Sequence, residues 1–360
     1  HVRSNGFARA HLQHEEWGSS SRTTVGQRSS RSRRSNYHFR DTSPVDRKKL
    51  TQAKGGSWLM LCAHEEGPRY IPQLGDEVAY LRQGHQEYLE FSCLKEVGPW
   101  KLMKGNLRAV EFCKVVKLEY STLAGSGDSC CKMTLQFVDP SSIVFQKSFR
   151  LTLPEVTGFP DFLVERRRYD AAVNRNWACR DKCRVWWKNE GEEDGDWWNG
   201  RVMSIDPKSP EFPDSPWERY SIWYSSDPKE KHKHSPWELF DNHDDSPWEQ
   251  PSIDKHVRDK LLAAFAKLER SGNKSQDIYA VQKMRQVSQK PNFVNRFAVP
   301  LSLDIIHARV KNCYYRSVEA VRHDVEVMVA NAVSYFGKNA ELLCRIQRMQ
   351  SFLQRTMSSL

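Results

Sequence analysis

The chain has 360 residues, 39% of them hydrophobic and 28% charged, which suits two or three domains with cores of their own. A mean hydropathy of −0.72, without any apolar run of about 18 residues, excludes a membrane-spanning protein. The first residue is His1 rather than Met, which indicates a piece of a longer protein.

The net charge of +10 is unevenly distributed. Residues 1–54 hold 12 Lys/Arg against 4 Asp/Glu, a balance of +8, and residues 252–360 hold 18 against 9, a balance of +9. Residues 55–251 hold 25 against 32, a balance of −7. An acidic middle between basic flanks favours a protein that holds a basic peptide beside a polyanion, although an ordinary solvated surface has the same pattern.

Nine cysteines are scattered without paired C-x-x-C spacing, which argues against a disulfide framework and a structural zinc site. Cys179, Cys183, His232 and His234 are the nearest approach to a metal cluster, but C-x-x-x-C lies outside the usual spacing. We expect no metal, no cofactor and a reducing intracellular compartment.

Residues 1–57 include SSSRTTVGQRSSRSRRSNYHFR, which is rich in Ser and Arg and poor in periodic apolar residues. Such a segment cannot bury enough apolar surface to offset the entropy of ordering. It is therefore predicted to be basic and largely flexible.

Residues 58–158 contain five stretches that alternate or are β-branched, namely DEVAYL, EYLEF, EFCKVVKLEY, CKMTLQFVD and KSFRLTL. They predict a first small antiparallel barrel, with RQGHQEY as a turn between strands. A connector that becomes helical after Pro160 is expected next.

Residues 159–251 contain that connector and a second strand set, KCRVWWK, GDWWNGRVMSI, RYSIWYSS and SPWEL, which predicts a second small barrel. SPWE occurs at Ser215, Ser235 and Ser246, with unequal spacings of 20 and 11 residues. The motif therefore indicates turns at which a Trp seals a barrel end rather than a solenoid repeat.

Residues 252–360 change to helical periodicity in VRDKLLAAFAKLER, LDIIHARVKN, SVEAVRHDVEVMVANAVSYF and AELLCRIQRMQSFLQRTM. Four helices with a long, irregular first connection predict a left-handed bundle. The whole chain is thus expected to be a multidomain β plus α protein.

No catalytic motif is evident: the chain has no Gly-rich phosphate loop, nucleophile elbow or HExxH. His85 is the most tempting general base, but a histidine in such a turn is more often structural. We therefore expect a binding protein rather than an enzyme.

Aromatic density is the strongest functional signal, because six large rings fall within 39 positions: Trp186, Trp187, Trp197, Trp198, Trp223 and Tyr224. Strand side chains alternate, so one ring of each adjacent pair points away from the core. Exposed rings beside the acidic residues Glu192, Glu193, Asp194 and Asp196 are typical of a cage for a quaternary ammonium group. The alternative is that the rings seal the interface between the two barrels.

Several motifs resemble the bromodomain and WD-repeat family over residues 58–360: YIPQLGDEVAYLRQGHQEYLE, FVDP, DFLVERRRYDAAVNRNW, GDWWNGRV and SPWEL. The resemblance implies two interlocked Tudor-like barrels followed by a bromodomain. It also implies a nuclear reader of histone H3 methylated at its fourth residue, a lysine. The full protein would have an N-terminal propeller and serve a cullin-based ubiquitin ligase as a substrate receptor.

By the pattern of Tudor cages, the resemblance assigns the cage walls to Trp187, Trp198 and Tyr224. Their opposite-facing neighbours are then Trp186, Trp197 and Trp223. A register error of one residue would exchange the two sets. Neither the sequence nor the resemblance says which methylation state is preferred.

The bromodomain part departs from the family at the acetyl-lysine pocket. Phe293 occupies the position of the usual Tyr, and Phe336, just after Tyr335, occupies the position of the Asn that anchors acetyl-lysine. The Pro-Val-Asp shelf of the family is missing. The pocket is therefore predicted to be degenerate, unless Asn331 or Asn339 supplies the donor.

The basic C-terminal part predicts contact with nucleosomal DNA through Lys283, Arg285, Lys290 and Arg296, with a solvated surface as the alternative. The competing function for the whole chain is a protein-interaction scaffold whose aromatic residues are all interior. Binding that does not depend on methylation would favour the scaffold.

Overall fold

The computed structural model describes residues 58–65, 69–92, 94–155, 159–187, 195–242, 249–270 and 277–360, without the side chains of residues 277 and 278. Three predicted features lie outside the described residues: the basic segment before residue 58, the acidic loop residues 192–194 and the third Ser-Pro-Trp stretch. The described part consists of two five-stranded antiparallel sheets followed by a helical region.

The first sheet has the strand order β4-β3-β2-β1-β5. Its strands are β1 (Glu77–Leu81), β2 (Val110–Thr122), β3 (Ser129–Phe137), β4 (Ser148–Pro154) and β5 (Leu163–Glu165). Side chains alternate as predicted: on β3, Met133 and Leu135 are buried whereas Lys132 is exposed. The hydrogen-bonded order ends at β4 and β5, so closure into a barrel stays a prediction.

The predicted strand over EYLEF and the predicted turn at RQGHQEY are wrong, because both belong to helix α1 (Arg82–Ser92). His85, Tyr88 and Phe91 recur every three residues on its buried face. A stretch of five residues is too short for its apolar pattern to distinguish such a face from a strand. On the same face, a Cβ added at Gly84 would lie 2.6 Å from Phe162 Cβ and 2.7 Å from Trp217 Cζ3. This close approach requires glycine.

The second sheet has the order β10-β6-β7-β8-β9. Its strands are β6 (Lys182–Trp187), β7 (Asp196–Ile205), β8 (Tyr220–Tyr224), β9 (Asp227–His234) and β10 (Phe240–Asp241). The sequence missed β9 because its stretch DPKEKHKH is charged, as lysine-rich edge strands often are. SPWEL is not the predicted strand: Pro236–Glu238 form a 3-10 turn, closed by a capping box between Ser235 and Glu238.

Two tryptophans from the connections of the second sheet complete the core of the first. Trp217 and Trp237 are 0% and 2% exposed and belong to the same core as β1 to β5. Helix α3 (Arg166–Asn174), the predicted connector helix, fixes this arrangement: Arg168 Nη2 donates to the carbonyl oxygen of Trp237 at 2.7 Å and of Leu239 at 3.0 Å. The two β units are therefore interlocked.

The helical region contains more helix than predicted. Its described helices are α4 (Lys255–Arg270), α5 (Asp277–Ser288), α6 (Pro291–Val294), α7 (Leu303–Lys311), α8 (Val318–Phe336) and α9 (Ala340–Ser358), and a one-turn α2 (Pro99–Leu102) lies earlier in the chain. The long connection was expected to be irregular, but α5 buries Ala280, Met284 and Val287 at helical spacing. None of the described helices is long and apolar enough to cross a lipid bilayer.

The helical region shares one hydrophobic core with the first sheet, although the sequence placed a domain boundary at residue 252. A buried ion pair reinforces the contact, because Arg316 Nη2 lies 2.8 Å from Asp76 Oδ2. A second buried pair, between Arg309 Nη1 and Asp324 Oδ2 at 2.8 Å, lies within the helical region. The second sheet keeps a separate small core around Trp198 and Tyr224.

Candidate functional site

The aromatic pairs of β6 and β7 lie side by side. Trp186 is the register partner of Trp197, and Val185 is that of Trp198. Because successive side chains point to opposite faces, the six rings separate into two sets. The inner set, which faces the small core, is Trp187, Trp198 and Tyr224, and the outer set is Trp186, Trp197 and Trp223.

The inner set contains the three predicted cage residues, but they differ in accessibility. Trp198 is 6% exposed and Tyr224 is fully buried, whereas Trp187 is half-buried at the edge of the core. The Tyr224 hydroxyl lies 2.9 Å from His234 Nε2, and its ring lies 5.4 Å from that of His232. Trp187 is therefore the accessible ring of the inner set, whereas Trp198 and Tyr224 lie within the small core.

One ring of the outer set, Trp197, already carries a cation of the same chain. The rings of Trp186 and Trp197 lie 5.2 Å apart, with the Arg184 guanidinium 4.4 Å from the Trp197 ring. Trp197 also lies edge-on to Phe240, over which Arg168 stacks at 4.0 Å. An external ammonium group would have to displace these guanidinium groups, so the outer set is the poorer candidate cage.

His85 is placed as a structural residue. It is 1% exposed, its Nδ1 lies 2.7 Å from the Tyr80 hydroxyl, and its ring stacks on Phe162 at 5.1 Å. Burial lowers the pKa of His85 to about 3, so the ring is neutral at physiological pH. It has the position of a core side chain rather than that of a general base.

Aromatic rings cluster at the C-terminal end of α8, where the acetyl-lysine anchor was expected. Phe293 is 4% exposed and lies edge-on to Tyr335 at 5.3 Å, and Tyr335 in turn lies edge-on to Phe336 at 5.2 Å. Of the two alternative donors, Asn331 is engaged, because its Nδ2 donates to the Val299 carbonyl oxygen at 3.1 Å. Asn339 is the N-cap of α9, where its Oδ1 accepts the Leu342 N–H at 3.1 Å.

The four predicted DNA contacts lie on or beside α5 and α6, and they differ in their exposure and in their partners within the chain. Arg285 is shared by two carboxylates, Asp304 at 2.8 Å and Glu269 at 3.2 Å. Arg296 Nη2 donates to the Ser334 carbonyl oxygen at 3.0 Å but remains exposed. Lys290 is also exposed, whereas Lys283 is partly buried.

The cysteine and histidine residues singled out from the sequence do not form a metal cluster within the described residues. Cys183 is buried, and burial raises the pKa of its thiol to about 12. The structure instead groups Asp227, Glu230 and His232, whose potential ligand atoms lie within 4.8 Å of one another. Sequence reasoning missed this group because it missed β9.

Comparison with known proteins agrees with the two-part architecture. Residues 68–249 match the family model of the BRWD/PHIP ancillary domain-like domain, and residues 265–347 match that of the bromodomain. A segment of 126 residues is 26% identical to a bromodomain and WD repeat-containing protein of Dictyostelium discoideum; it covers 35% of this chain and 5% of that protein. The chain thus corresponds to a small part of its relative's length. It belongs to the BRWD/PHIP ancillary domain-like family and continues into a bromodomain.

Proposed function

We propose that this chain is a nuclear chromatin reader that binds a methylated lysine of the histone H3 tail, its fourth residue, at the edge of the second sheet. The observation that carries the proposal is the half-buried ring of Trp187 at the edge of the small core that contains Trp198, on the same face of the sheet. Two indole faces are the preferred surface for a quaternary ammonium group.

Charge supports a basic peptide at this edge. Asp196 is exposed and is the register partner of Trp187, so a carboxylate lies beside the accessible ring. Residues 55–251, which contain the sheet, have a balance of −7. A histone tail carries several lysine and arginine side chains, so the surrounding charge would increase its encounter rate.

The test is titration of this chain with H3 tail peptides that carry an unmodified, mono-, di- or trimethylated fourth residue. We expect Trp187→Ala to weaken binding of the methylated peptide by about 1–3 kcal/mol, through loss of cation–π attraction and buried area. Calorimetry measures the change. Trp223→Ala is the matched control, because Trp223 lies on the opposite face of the same sheet and its loss should leave affinity unchanged.

A scaffold function remains the alternative, since Trp198 and Tyr224 are interior as that hypothesis requires. Equal affinity for methylated and unmodified peptides would favour it. So would a Trp187→Ala variant that binds as tightly as the parent chain.

The bromodomain supports the reader in a different way. We propose that it does not bind acetyl-lysine through the usual anchor, because Phe336 has no hydrogen-bond donor, and that Lys290, Lys283 and Arg296 contact nucleosomal DNA. Service of the full-length protein as the substrate receptor of a cullin-based ubiquitin ligase is likewise a proposal, drawn from the family resemblance.

A further inference from the structure

A small aromatic pocket lies at one end of the first sheet, away from the Trp187 edge. Its floor is formed by the buried rings of Trp58, Tyr88 and Phe162, which are 2%, 1% and 2% exposed. Phe159 and Asp161 stand half-buried at its mouth. Tyr88 lies edge-on to Phe159 at 5.6 Å and tilted against Phe162 at 5.1 Å, so ring faces and edges surround the space. We call this the Asp161 pocket.

The carboxylate of Asp161 has one engaged oxygen and one that remains available. Oδ2 accepts a hydrogen bond from the Tyr70 backbone N–H at 2.9 Å, and no described residue donates to Oδ1. Burial raises the pKa of Asp161 to about 7, against the lowering effects of the Tyr70 hydrogen bond and of Arg69. A cation beside the carboxylate would favour its ionised form.

The pocket is small, with a cavity volume of about 30 Å³. One water-sized group needs roughly 10–15 Å³, so the space holds about two or three such groups. The head of a mono- or dimethylated lysine, a nitrogen with one or two methyl groups, has this size. A trimethylated head is larger and has no N–H to donate to a carboxylate.

We propose that the Asp161 pocket is a second ammonium site, which binds the mono- or dimethylated side chain of a lysine. The aromatic rings would attract the positive charge, and Asp161 Oδ1 would accept the remaining N–H. None of these residues belongs to the second sheet. The site is therefore independent of the function proposed for Trp187 and Trp198.

The chain itself shows that this wall attracts a cation. The Arg69 guanidinium lies 5.3 Å from the centre of the Trp58 ring. Its side chain is 34% exposed and makes a loose ion pair with Glu155 at 3.8 Å, so it stands at the mouth without being locked there. Arg69 is thus a competitor for the same ring, and its removal should strengthen binding.

The test uses fluorine NMR of the whole chain labelled with fluorotryptophan, with Trp58 assigned by Trp58→Phe. The probes are N-acetyl lysine methylamides that carry zero to three methyl groups on Nζ. We expect the mono- and dimethylated probes to shift the Trp58 resonance, and the unmethylated and trimethylated probes to bind about fivefold or more weakly. Arg69→Gln should tighten binding of the dimethylated probe.

Asp161→Asn should reduce the affinity for the dimethylated probe to that for the trimethylated probe. The control Asp170→Asn changes a half-buried acid on α3 that pairs with Arg166, and it should leave both affinities unchanged. If Asp161→Asn does not fold, Phe159→Leu removes a ring at the mouth and should weaken every methylated probe. An unmoved Trp58 resonance, equal affinity for di- and trimethylated probes, or an unchanged Phe159→Leu variant would overturn the proposal. The Trp187 and Trp198 resonances report the other site separately.

Discussion

A single side chain changes the chemistry available at the end of α8. Acetyl-lysine carries a neutral amide whose carbonyl oxygen must be hydrogen-bonded when it is buried, and leaving it unpaired costs about 1–3 kcal/mol. Phe336 cannot donate, and its ring lies against Tyr335 in the place where an amide was expected. Phe293 lacks the hydroxyl of the usual Tyr. We expect both departures to weaken acetyl-lysine binding at the same pocket.

Acetylated histone peptides should therefore not bind the parent chain, and Phe336→Asn should raise their binding from background by restoring the donor. A peptide array followed by titration measures both. Clear binding by the parent would contradict the prediction. If that binding disappeared in Asn331→Ala, it would further show that Asn331 gives up its bond to Val299 and serves the ligand.

At the scale of the element, helix α1 depends on close contact with its neighbours. Gly84 lets the helix approach Phe162 and Trp217 to distances that a Cβ would violate, at 2.6 and 2.7 Å. Both neighbours are buried in the core and cannot move aside freely. Helix α1 thus joins β1 to the tryptophan supplied by the second unit.

Gly84→Ala should lower the free energy of unfolding. Alanine favours a helix by up to about 1 kcal/mol over glycine, but overpacking a core costs about 1–3 kcal/mol, so the clash should win. Chemical denaturation measures the difference. Gly337→Ala is the control, since the nearest atom to an added Cβ lies at 3.8 Å, and it should be neutral. Equal stability of the Gly84 variant would show that the contact relaxes.

At the scale of the whole molecule, a buried polar network joins the first sheet to the helical region. His323 Nε2 lies 2.8 Å from the Leu118 carbonyl oxygen of β2 and its Nδ1 lies 3.5 Å from Asp324. Tyr120 of β2 donates to Asp324 at 3.1 Å, and Arg309 pairs with the same carboxylate. Burial opposes a charge on His323, but Asp324 outweighs it, so the pKa of His323 is raised.

This raised pKa predicts a dependence of stability on pH. Because His323 binds its proton more tightly in the folded state, its contribution is complete below about pH 6.5 and is lost as pH rises through the folded pKa. His323→Gln should cost about 1–2 kcal/mol in mildly acidic solution and less in alkaline solution. Denaturation across this range measures it, with His307→Gln, which removes a ring stacked on Phe265, as control. A cost that does not vary with pH would contradict the assignment.

This contact also fixes the first sheet against the helical region, because the two share one hydrophobic core as well as the polar network. Arg316 reaches Asp76 and the Ile71 carbonyl oxygen across this contact. The first sheet and the exposed Lys290 and Arg296 of the helical region are therefore held in a fixed relation. The network is the physical basis of that relation.

The sequence by itself determined the features that depend on local period and on residue identity. Apolar residues that recur every two positions in EFCKVVKLEY and GDWWNGRVMSI predicted β2 and β7. Apolar residues three and four positions apart predicted α4 and α7 to α9. The absence of a hydrogen-bond donor at Phe336 is evident without coordinates, because it follows from the identity of the side chain alone. The division of the six rings into two sets also followed from strand alternation.

Tertiary structure alone decided what depends on partners distant in the chain. Helix α1 was predicted wrongly because a five-residue stretch is too short to distinguish a helix from a strand by its apolar pattern. Packing of the helix against Phe162 and Trp217 is visible only in the tertiary structure. Which rings are covered by Arg168 and Arg184 depends on contacts between separate elements. The Asp161 pocket unites Trp58, Tyr88 and Phe159 from three separate segments of the chain. No local pattern encodes such a neighbourhood, because the folding of the whole core brings it together.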